Sequence, residues 1–212
     1  MTEHAIIDVG AFIGETAINT WQRAPHNKMW AFEPCKTNFE KLKNTIEWFK
    51  QKSGLNPDIT LVQKAVSTSN ENKTFYETRD AVCASLLPFS KDKLKWEVGS
   101  SPLGHTQFDV IDEYEVECIR LDDFLDANNI KSVEHLKVDA QGHDLDVIKS
   151  LGSRLKDVRT IVAEARLTDF HMYEGDCHKD ELVQYMKDNG FSARDSQKQT
   201  YDQEENILFV RD

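Results

Sequence analysis

The sequence predicts an α/β protein in which a mostly parallel β-sheet is covered by helices on both faces. Short apolar runs alternate with helix-type periodicity along the first third of the chain, and this is the pattern of strands connected by helices. The length of 212 residues and the hydrophobic content of 39% are typical of one ordinary globular domain. We therefore expect a single domain over residues 1–212.

The first three strands and two helices are predicted from local patterns. Residues 5–9 (AIIDV) form an apolar run closed by Gly10, and residues 15–21 are compatible with a helix. Residues 28–32 (KMWAF) and 59–66 (ITLVQKAV) predict the second and third strands. Between these two strands, four apolar residues recur at helical spacing and define one helix face: Phe39, Leu42, Ile46 and Phe49.

The middle of the chain departs from this alternation. Residues 74–78 and 115–119 alternate in polarity like the strands of a hairpin. The polar stretch from about residue 88 to 112 predicts a long functional or mobile loop between them. We expect an inserted hairpin and loop over about residues 74–117, before the fourth strand.

Strands and helices resume after this insertion. Residues 133–138 (VEHLKV) and 160–165 (TIVAEA) predict the fourth and fifth strands, with a helix between them. Residues 180–189 predict a further helix, and residues 206–211 (NILFVR) predict the last strand.

Charge and composition exclude several classes of partner. The chain has 26 Lys and Arg against 37 Asp and Glu, a formal net charge of −11, and this field repels nucleic-acid phosphates. We expect no nucleic-acid partner.

Apolar runs stay far below the roughly 18 residues of a membrane span, and a signal peptide pattern is missing, so we expect no membrane insertion and a cytoplasmic location. Four widely spaced cysteines predict reduced thiols rather than zinc binding.

A glycine turn follows the first strand, where open α/β sheets bind their ligands. The sequence is DVGAFIGE, in which Gly10 and Gly14 permit a tight turn and close approach of the backbone to a ligand. A dinucleotide fingerprint would have glycines at Phe12 and Glu15, so NAD is disfavoured.

Glu33 comes directly after the second strand. A carboxylate at this place can accept hydrogen bonds from both hydroxyls of a ribose. Together with the Asp-x-Gly turn it suggests a nucleoside ligand that has no pyrophosphate, and S-adenosylmethionine fits this description. The alternative is that the glycines only turn the chain and that Glu33 is a solvated acid.

The chain resembles the FkbM-type methyltransferases over about residues 5–166. The matching segments occur in the family's order: IIDVGAFIGETA, WAFEP, QKAVST, ASL at residues 84–86, CIRLDDFL, LKVDAQGHDLDVIKSLG and IVAEAR. The resemblance implies a Rossmann-like class I methyltransferase sheet, mostly parallel with an antiparallel last strand. It also implies S-adenosylmethionine as cofactor and, in most members, O-methylation of polyketide or sugar hydroxyls.

The resemblance assigns eight residues to the cofactor: Asp8, Gly10, Ala11, Gly14, Glu33, Pro34, Ala65 and Val66, of which the last two border the adenine. The sequence departs from the family after Asp139. The family has acid-Gly-x-acid there, whereas this chain has Gln141, Gly142, His143 and Asp144. If the first acid is essential, a non-catalytic nucleoside-binding module is the alternative.

Asp139, at the end of the fourth strand, is the candidate base that removes a proton from an acceptor hydroxyl. His143 is the alternative base, because its ordinary pKa suits neutral pH. Lys137 shares a strand face with Asp139 and could steady its carboxylate. The simpler interpretations are a helix cap for Asp139 and a solvated ring for His143. If a divalent ion such as Mg²⁺ takes part, Asp139 and Glu164 are the expected ligands.

Four residues are candidates for the acceptor side of the site: Ser85, Trp96, His105 and Arg166. We expect an S-adenosylmethionine-dependent O-methyltransferase acting on a hydroxyl of a sugar, glycan or related natural product. The alternative enzyme methylates nitrogen or a small metabolite. The sequence leaves open whether the chain is a whole protein or one domain of a larger glycosyltransferase-type protein.

Overall fold

The computed structural model describes residues 4–212, so residues 1–3 of the predicted domain lie outside it. The described residues form ten strands and five α-helices. In chain order these are β1 (Ala5–Val9), α1 (Glu15–Arg23), β2 (Met29–Phe32), α2 (Lys36–Ser53), β3 (Ile59–Val62), β4 (Ala65–Val66), β5 (Asn72–Thr78), β6 (Val110–Ile119), α3 (Leu121–Ala127), β7 (Val133–Val138), α4 (Asp144–Lys149), β8 (Val158–Arg166), α5 (Lys179–Asp188), β9 (Phe191–Gln199) and β10 (Glu204–Arg211).

Seven strands form the central sheet in the order β3-β2-β1-β7-β8-β10-β9. The first five of these are parallel, and β10 runs antiparallel between β8 and β9. This confirms the predicted α/β fold with a mostly parallel sheet and an antiparallel last strand. In the register, Asp8 pairs with Ala31 on one side and Lys137 on the other, so the carboxyl ends of β2, β1 and β7 lie side by side.

Helices bury both faces of this sheet, which explains the continuous apolar runs in its central strands. Every residue of β1 and β2 is buried. In α2, Leu42 and Ile46 are buried and Phe39 and Phe49 pack against them, as the helical spacing predicts. Within residues 4–212, none of the helices has both the length and the apolar character that crossing a bilayer requires.

A second, three-stranded sheet carries the insertion. β5 pairs antiparallel with β6, which confirms the predicted hairpin, and β4 pairs parallel with the other edge of β6. The prediction of a single third strand over residues 59–66 is therefore wrong. The chain leaves the central sheet after Val62, and residues 65–66 join the small sheet.

The polar stretch from 88 to 112 is not one open loop. It contains short 3₁₀ turns at Lys91–Lys95 and Gly104–Phe108. A buried cluster, here called the Trp96 cluster, joins it to the loop after β8: Cys83, Trp96, Phe108, Met172 and Tyr173. Burial of these few large side chains anchors a segment whose composition predicts a functional or mobile loop.

Strand β9 has no counterpart in the sequence prediction. It is an edge strand that pairs only with β10, and of its nine residues only Phe191 is buried. Its sequence, FSARDSQKQ, lacks the apolar alternation of a half-buried strand because both of its faces are exposed. Pairing with β10 makes it a strand, and local propensity does not reveal that pairing.

Candidate active site

A cavity of about 190 Å³ opens at the carboxyl ends of β1, β2, β4 and β7. Seven of the eight predicted cofactor residues line it: Gly10, Ala11, Gly14, Glu33, Pro34, Ala65 and Val66. Three further predicted site residues line the same cavity, namely Lys137, Asp139 and His143, and Ser85 lies on the side of the insertion. Residues from five separate segments thus meet at the end of the sheet where the parallel strands end, as the fold requires of a ligand site.

The turn after β1 is left-handed at three positions. The φ angles are 76° at Gly10, 50° at Phe12 and 93° at Gly14. A Cβ atom on Gly10 would lie 1.9 Å from the carbonyl oxygen of Asp139, and one on Gly14 would lie 2.6 Å from Cδ1 of Leu42. Packing within the protein therefore already requires glycine at both positions, apart from any approach of a ligand.

Glu33 connects this turn to the end of β2. Its Oε2 accepts a hydrogen bond from the backbone N–H of Phe12 at 2.8 Å, and its Oε1 accepts one from Cys35 at 2.9 Å. The side chain is buried, and burial raises the pKa of Glu33 to about 7 against the effect of these two bonds. Each carboxylate oxygen keeps a further lone pair, so the group can also accept ribose hydroxyls.

Asp8 lies behind the cavity wall and does not line it. Its carboxylate is buried, and the Oδ1 atom lies 3.3 Å from Nζ of Lys137. Burial raises the pKa of Asp8. The structure therefore places Asp8 as the partner of Lys137, behind the residues that line the cavity.

Lys137 lies between two carboxylates. Its Nζ donates to the carbonyl of Gly10 at 2.8 Å and lies 3.4 Å from Oδ2 of Asp139. Burial alone would lower the pKa of Lys137, but the charges of Asp8 and Asp139 outweigh it and raise the pKa. The ammonium group thus stays charged and ties the β1 turn to the end of β7.

Asp139 is the more open of the two candidate bases, with 36% of its side chain exposed. Gln141, a residue with φ of 51°, donates from Nε2 to Oδ1 of Asp139 at 2.8 Å. The hydroxyl of Tyr173 lies 3.0 Å from Oε1 of Gln141, and Ser85 Oγ donates to the backbone carbonyl of Gln141. The helix-cap role is not seen for Asp139, because the N-cap residue of α4 is His143 and no side chain caps that helix end.

His143 lines the cavity but is buried, with 6% of its surface exposed, and so it is not a solvated ring. Its Nε2 lies 3.2 Å from Oγ of Ser67, and its Nδ1 lies 3.6 Å from Asp146. Burial lowers the pKa of His143, so the ring is neutral at neutral pH. Of the two, Asp139 has the freer access to an acceptor.

Three of the four predicted acceptor-side residues lie away from the cavity. Trp96 is 1% exposed within the Trp96 cluster, and Nε2 of His105 lies 2.8 Å from its carbonyl oxygen. Arg166 is buried, and its Nε donates to Asp176 at 2.9 Å. The expectation that these side chains face an acceptor is corrected, because Trp96 and His105 serve packing and hydrogen bonding within the insertion, and Arg166 at the end of β8 pairs with Asp176.

The pair proposed for a metal does not converge. Asp139 lines the main cavity, whereas Glu164 lines a smaller neighbouring one together with Asp144 and Glu204. Among residues 4–212, no three His, Cys, Asp or Glu side chains are arranged to hold a metal ion. Burial and the charges of Asp139, Glu204 and Asp144 raise the pKa of Glu164 well above its usual range.

Sequence reasoning missed three residues of this site. The sequence marks Gln141 only as a departure and gives Tyr173 no individual role, although together they hold Asp139 in place. Asn38 lines the cavity from the first turn of α2 and donates to the carbonyl of Ala81. The position of Gln141, two residues after Asp139 at the strand end, is the one local signal for these residues. The contacts of Tyr173 and Asn38 join distant parts of the chain.

The profile of the methyltransferase FkbM domain matches residues 8–193. A curated relative, Methyltransferase 1 of Beauveria bassiana strain ARSEF 2860, is 25% identical over 147 residues, which are 69% of this chain and 57% of that protein. The chain thus spans little more than half of this relative's length.

Solved structures share the fold. The FkbM methyltransferase of Methylobacillus flagellatus KT superposes with a TM-score of 0.57 at 15% identity, over 99% of this chain and 44% of that one. The fibrillarin of Aeropyrum pernix, solved with natively bound S-adenosyl-L-methionine, has a TM-score of 0.53 at 10% identity, over 99% and 66% of the two chains.

Proposed function

Because this chain belongs to the FkbM methyltransferase family, we propose that it transfers a methyl group from S-adenosylmethionine to a hydroxyl of a sugar, glycan or related natural product. One observation carries the proposal. Glu33, a carboxylate that keeps acceptor capacity, shares a cavity with the glycine turn and with the partly exposed Asp139.

The residues of the cavity divide into two groups. Glu33 accepts the ribose hydroxyls, and the turn from Gly10 to Gly14 with Pro34, Ala65 and Val66 encloses the rest of the nucleoside. Asp139 faces the acceptor and removes its proton. Ser85 lies on the acceptor side and supports this arrangement through Gln141.

The cofactor supplies an activated methyl group on a positively charged sulfur. A sugar hydroxyl is a weak nucleophile, so the protein must hold its oxygen in line with that methyl group and take up its proton. Asp139 is suited to this because Gln141 and Lys137 hold its two oxygens from different sides. Because these contacts already fix the side chain of Asp139, its carboxylate loses little conformational entropy when it accepts the proton.

Calorimetric titration of the protein with S-adenosylmethionine and S-adenosylhomocysteine tests the cofactor class, with NAD as the negative control. We expect micromolar binding of the two sulfur nucleosides and no heat with NAD. Glu33→Ala should weaken this binding at least about tenfold, since two charge-assisted hydrogen bonds are lost. Glu40→Ala, at an exposed position of α2, is the matched control and should bind like the wild type.

Turnover with deoxy-sugar glycans as acceptors tests the reaction. Asp139→Asn should reduce kcat by about 10² or more at unchanged affinity for S-adenosylhomocysteine, in line with the loss of a general base. Wild-type rates in this variant would instead favour an amine acceptor, which needs less help in losing its proton. Binding of NAD in place of the sulfur nucleosides would overturn the proposal.

A further inference from the structure

A chain of three polar contacts leads from the candidate base to the insertion. Nε2 of Gln141 donates to Oδ1 of Asp139 at 2.8 Å, and Oε1 of Gln141 lies 3.0 Å from the hydroxyl of Tyr173. The same hydroxyl lies 2.9 Å from the backbone carbonyl oxygen of Cys83. Tyr173 is 1% exposed, so its hydroxyl depends on partners within the protein.

This chain has too few protons for its three contacts while Asp139 is a carboxylate. A carboxylate only accepts hydrogen bonds, so the amide nitrogen of Gln141 must face it and the amide oxygen must face Tyr173. The hydroxyl of Tyr173 carries one proton, and two acceptors compete for it, namely Oε1 of Gln141 and the carbonyl of Cys83. One contact of the chain therefore lacks a proton, which is unfavourable in a buried place.

A proton on Asp139 removes this shortage. If the Gln141 amide turns over, its oxygen accepts from the Asp139 O–H group, and its nitrogen donates to the oxygen of Tyr173. The proton of Tyr173 is then free for the carbonyl of Cys83, and all three contacts are hydrogen bonds.

The amide of Gln141 can turn without a change in the backbone. The terminal torsion of a glutamine side chain is broad and roughly two-fold, so exchange of the amide oxygen and nitrogen needs only a rotation at the end of the side chain. The backbone of Gln141 is held meanwhile, because Oγ of Ser85 donates to its carbonyl oxygen at 2.8 Å.

We propose that Gln141 and Tyr173 are positioning residues that promote proton uptake by Asp139, through a turn of the Gln141 amide that completes the chain to Cys83. The inference rests on the proposed function and deepens it. The acceptor oxygen bonds to the methyl carbon, whose bond to sulfur breaks and leaves its electron pair on the sulfur. The hydroxyl proton moves to Oδ1 of Asp139, because Oδ2 faces the ammonium group of Lys137, which only donates.

A double-mutant cycle in urea unfolding at neutral pH tests the chain without any acceptor. Asp139→Asn imitates the protonated acid, because Lys137 holds its amide oxygen and its amide nitrogen can donate to Gln141. This substitution completes the chain only where the hydroxyl of Tyr173 is present. Its effect on the folding equilibrium constant should therefore be about fivefold more favourable in the wild type than in Tyr173→Phe, the effect of one hydrogen bond.

Tyr185→Phe, on α5 and outside the cavity lining, is the matched control. In this background, Asp139→Asn should have the same effect as in the wild type. If Tyr173→Phe does not fold, Gln141→Met breaks the same chain at its centre and takes its place in the cycle.

Turnover of a hydroxyl acceptor supplies the second readout. Tyr173→Phe should reduce kcat by about fivefold and leave KM and the affinity for S-adenosylhomocysteine unchanged, because only proton uptake is impaired. A residue that merely supported the cavity would change KM and these affinities as well.

An effect of Asp139→Asn that is the same within about twofold in all backgrounds would overturn the chain and leave the proposed function standing. The expected coupling in a protein that binds no S-adenosylhomocysteine would overturn the proposed function, and with it the part of the chain in catalysis.

Discussion

At the scale of single residues, Glu33 is subject to opposing effects. Burial favours its protonated form, while the N–H groups of Phe12 and Cys35 favour the carboxylate. The first effect is larger, so the pKa rises from 4.5 to about 7. A ribose diol is a pair of donors and prefers the carboxylate, which makes binding of the nucleoside sensitive to pH near neutrality.

We expect the affinity for S-adenosylhomocysteine to fall as the pH is lowered through 7. Below its pKa, Glu33 is increasingly protonated and one of its oxygens no longer accepts, so affinity should fall by up to about tenfold per pH unit. Titrations at several pH values between 5.5 and 8.5 measure this. Glu33→Gln should bind more weakly with a flat profile, and a flat profile in the wild type would contradict the expectation.

Gln141 shows how a departure from a family pattern can be read in a structure. A glutamate at this position would set a second negative charge against Asp139, whereas the amide of Gln141 donates to it. The backbone there is left-handed, and the carbonyl is held by Ser85. The departure therefore leaves Asp139 oriented and available, which argues against the non-catalytic alternative.

At the scale of secondary-structure elements, the turn between β1 and α1 depends on close packing. Gly10 lies against the backbone of Asp139, and this contact sets the distance between the ends of β1 and β7. The cavity and its candidate base are thus positioned by a glycine whose neighbour is 129 residues away along the chain. Gly54, at the end of α2, has φ of 69° but open space around it.

The two glycines make a matched pair for mutation. Gly54→Ala should cost about 1 kcal/mol of unfolding free energy, the price of a left-handed alanine. Gly10→Ala adds a severe overlap with the Asp139 carbonyl and should cost about 3 kcal/mol or more, or prevent folding. Urea unfolding measures both changes. Equal losses in the two variants would show that packing at Gly10 is unimportant.

The insertion is the element whose role the structure changes most. The Trp96 cluster ties it to the loop after β8, and only its first part reaches the cavity, at Phe75, Ala81, Val82 and residues 84–86. Acceptor selectivity should therefore depend on this first part. The segment around Trp96 and His105 supports it from behind.

At the scale of the whole molecule, several carboxyl groups are buried near the carboxyl ends of the strands. Burial raises the pKa to about 7 for Glu33, Asp144 and Glu204, and the charge of Asp139 adds to the effect for the last two. In the unfolded chain these groups ionise near pH 4 to 4.5. Between about pH 4.5 and 7 these three groups therefore bind more protons in the folded protein than in the unfolded chain. Burial lowers the pKa of His135 and His143, which acts in the opposite direction but at fewer groups.

Because folding and proton binding at these groups are linked, their contribution to the free energy of unfolding must fall as the pH rises from about 4.5 to 7. We expect the unfolding free energy of the ligand-free protein to be higher at pH 5 than at pH 7.5, as measured by denaturant unfolding. Glu204→Gln removes one of the groups and should reduce the difference. Glu47→Gln, exposed on α2, should leave it unchanged. A stability that increases from pH 5 to 7.5 would contradict this account.

Local sequence patterns determined the α/β class, the parallel strands, the inserted hairpin and the glycine turn with Glu33 and Asp139 at strand ends. Hydrophobic periodicity and turn chemistry act over a few residues, so they can be read from the chain directly. The family was recognisable for the same reason, since its motifs are short segments at strand ends.

Only the tertiary structure decided which side chains meet. Strand β9 depends on pairing with β10, and the cluster that buries Trp96 includes Met172 and Tyr173, more than 70 positions away. Asp8 is turned to Lys137, Glu164 faces a different cavity from Asp139, and Asn38 is held by Ala81. These contacts join residues far apart in the chain, and their energies depend on burial and on neighbours that no local pattern specifies.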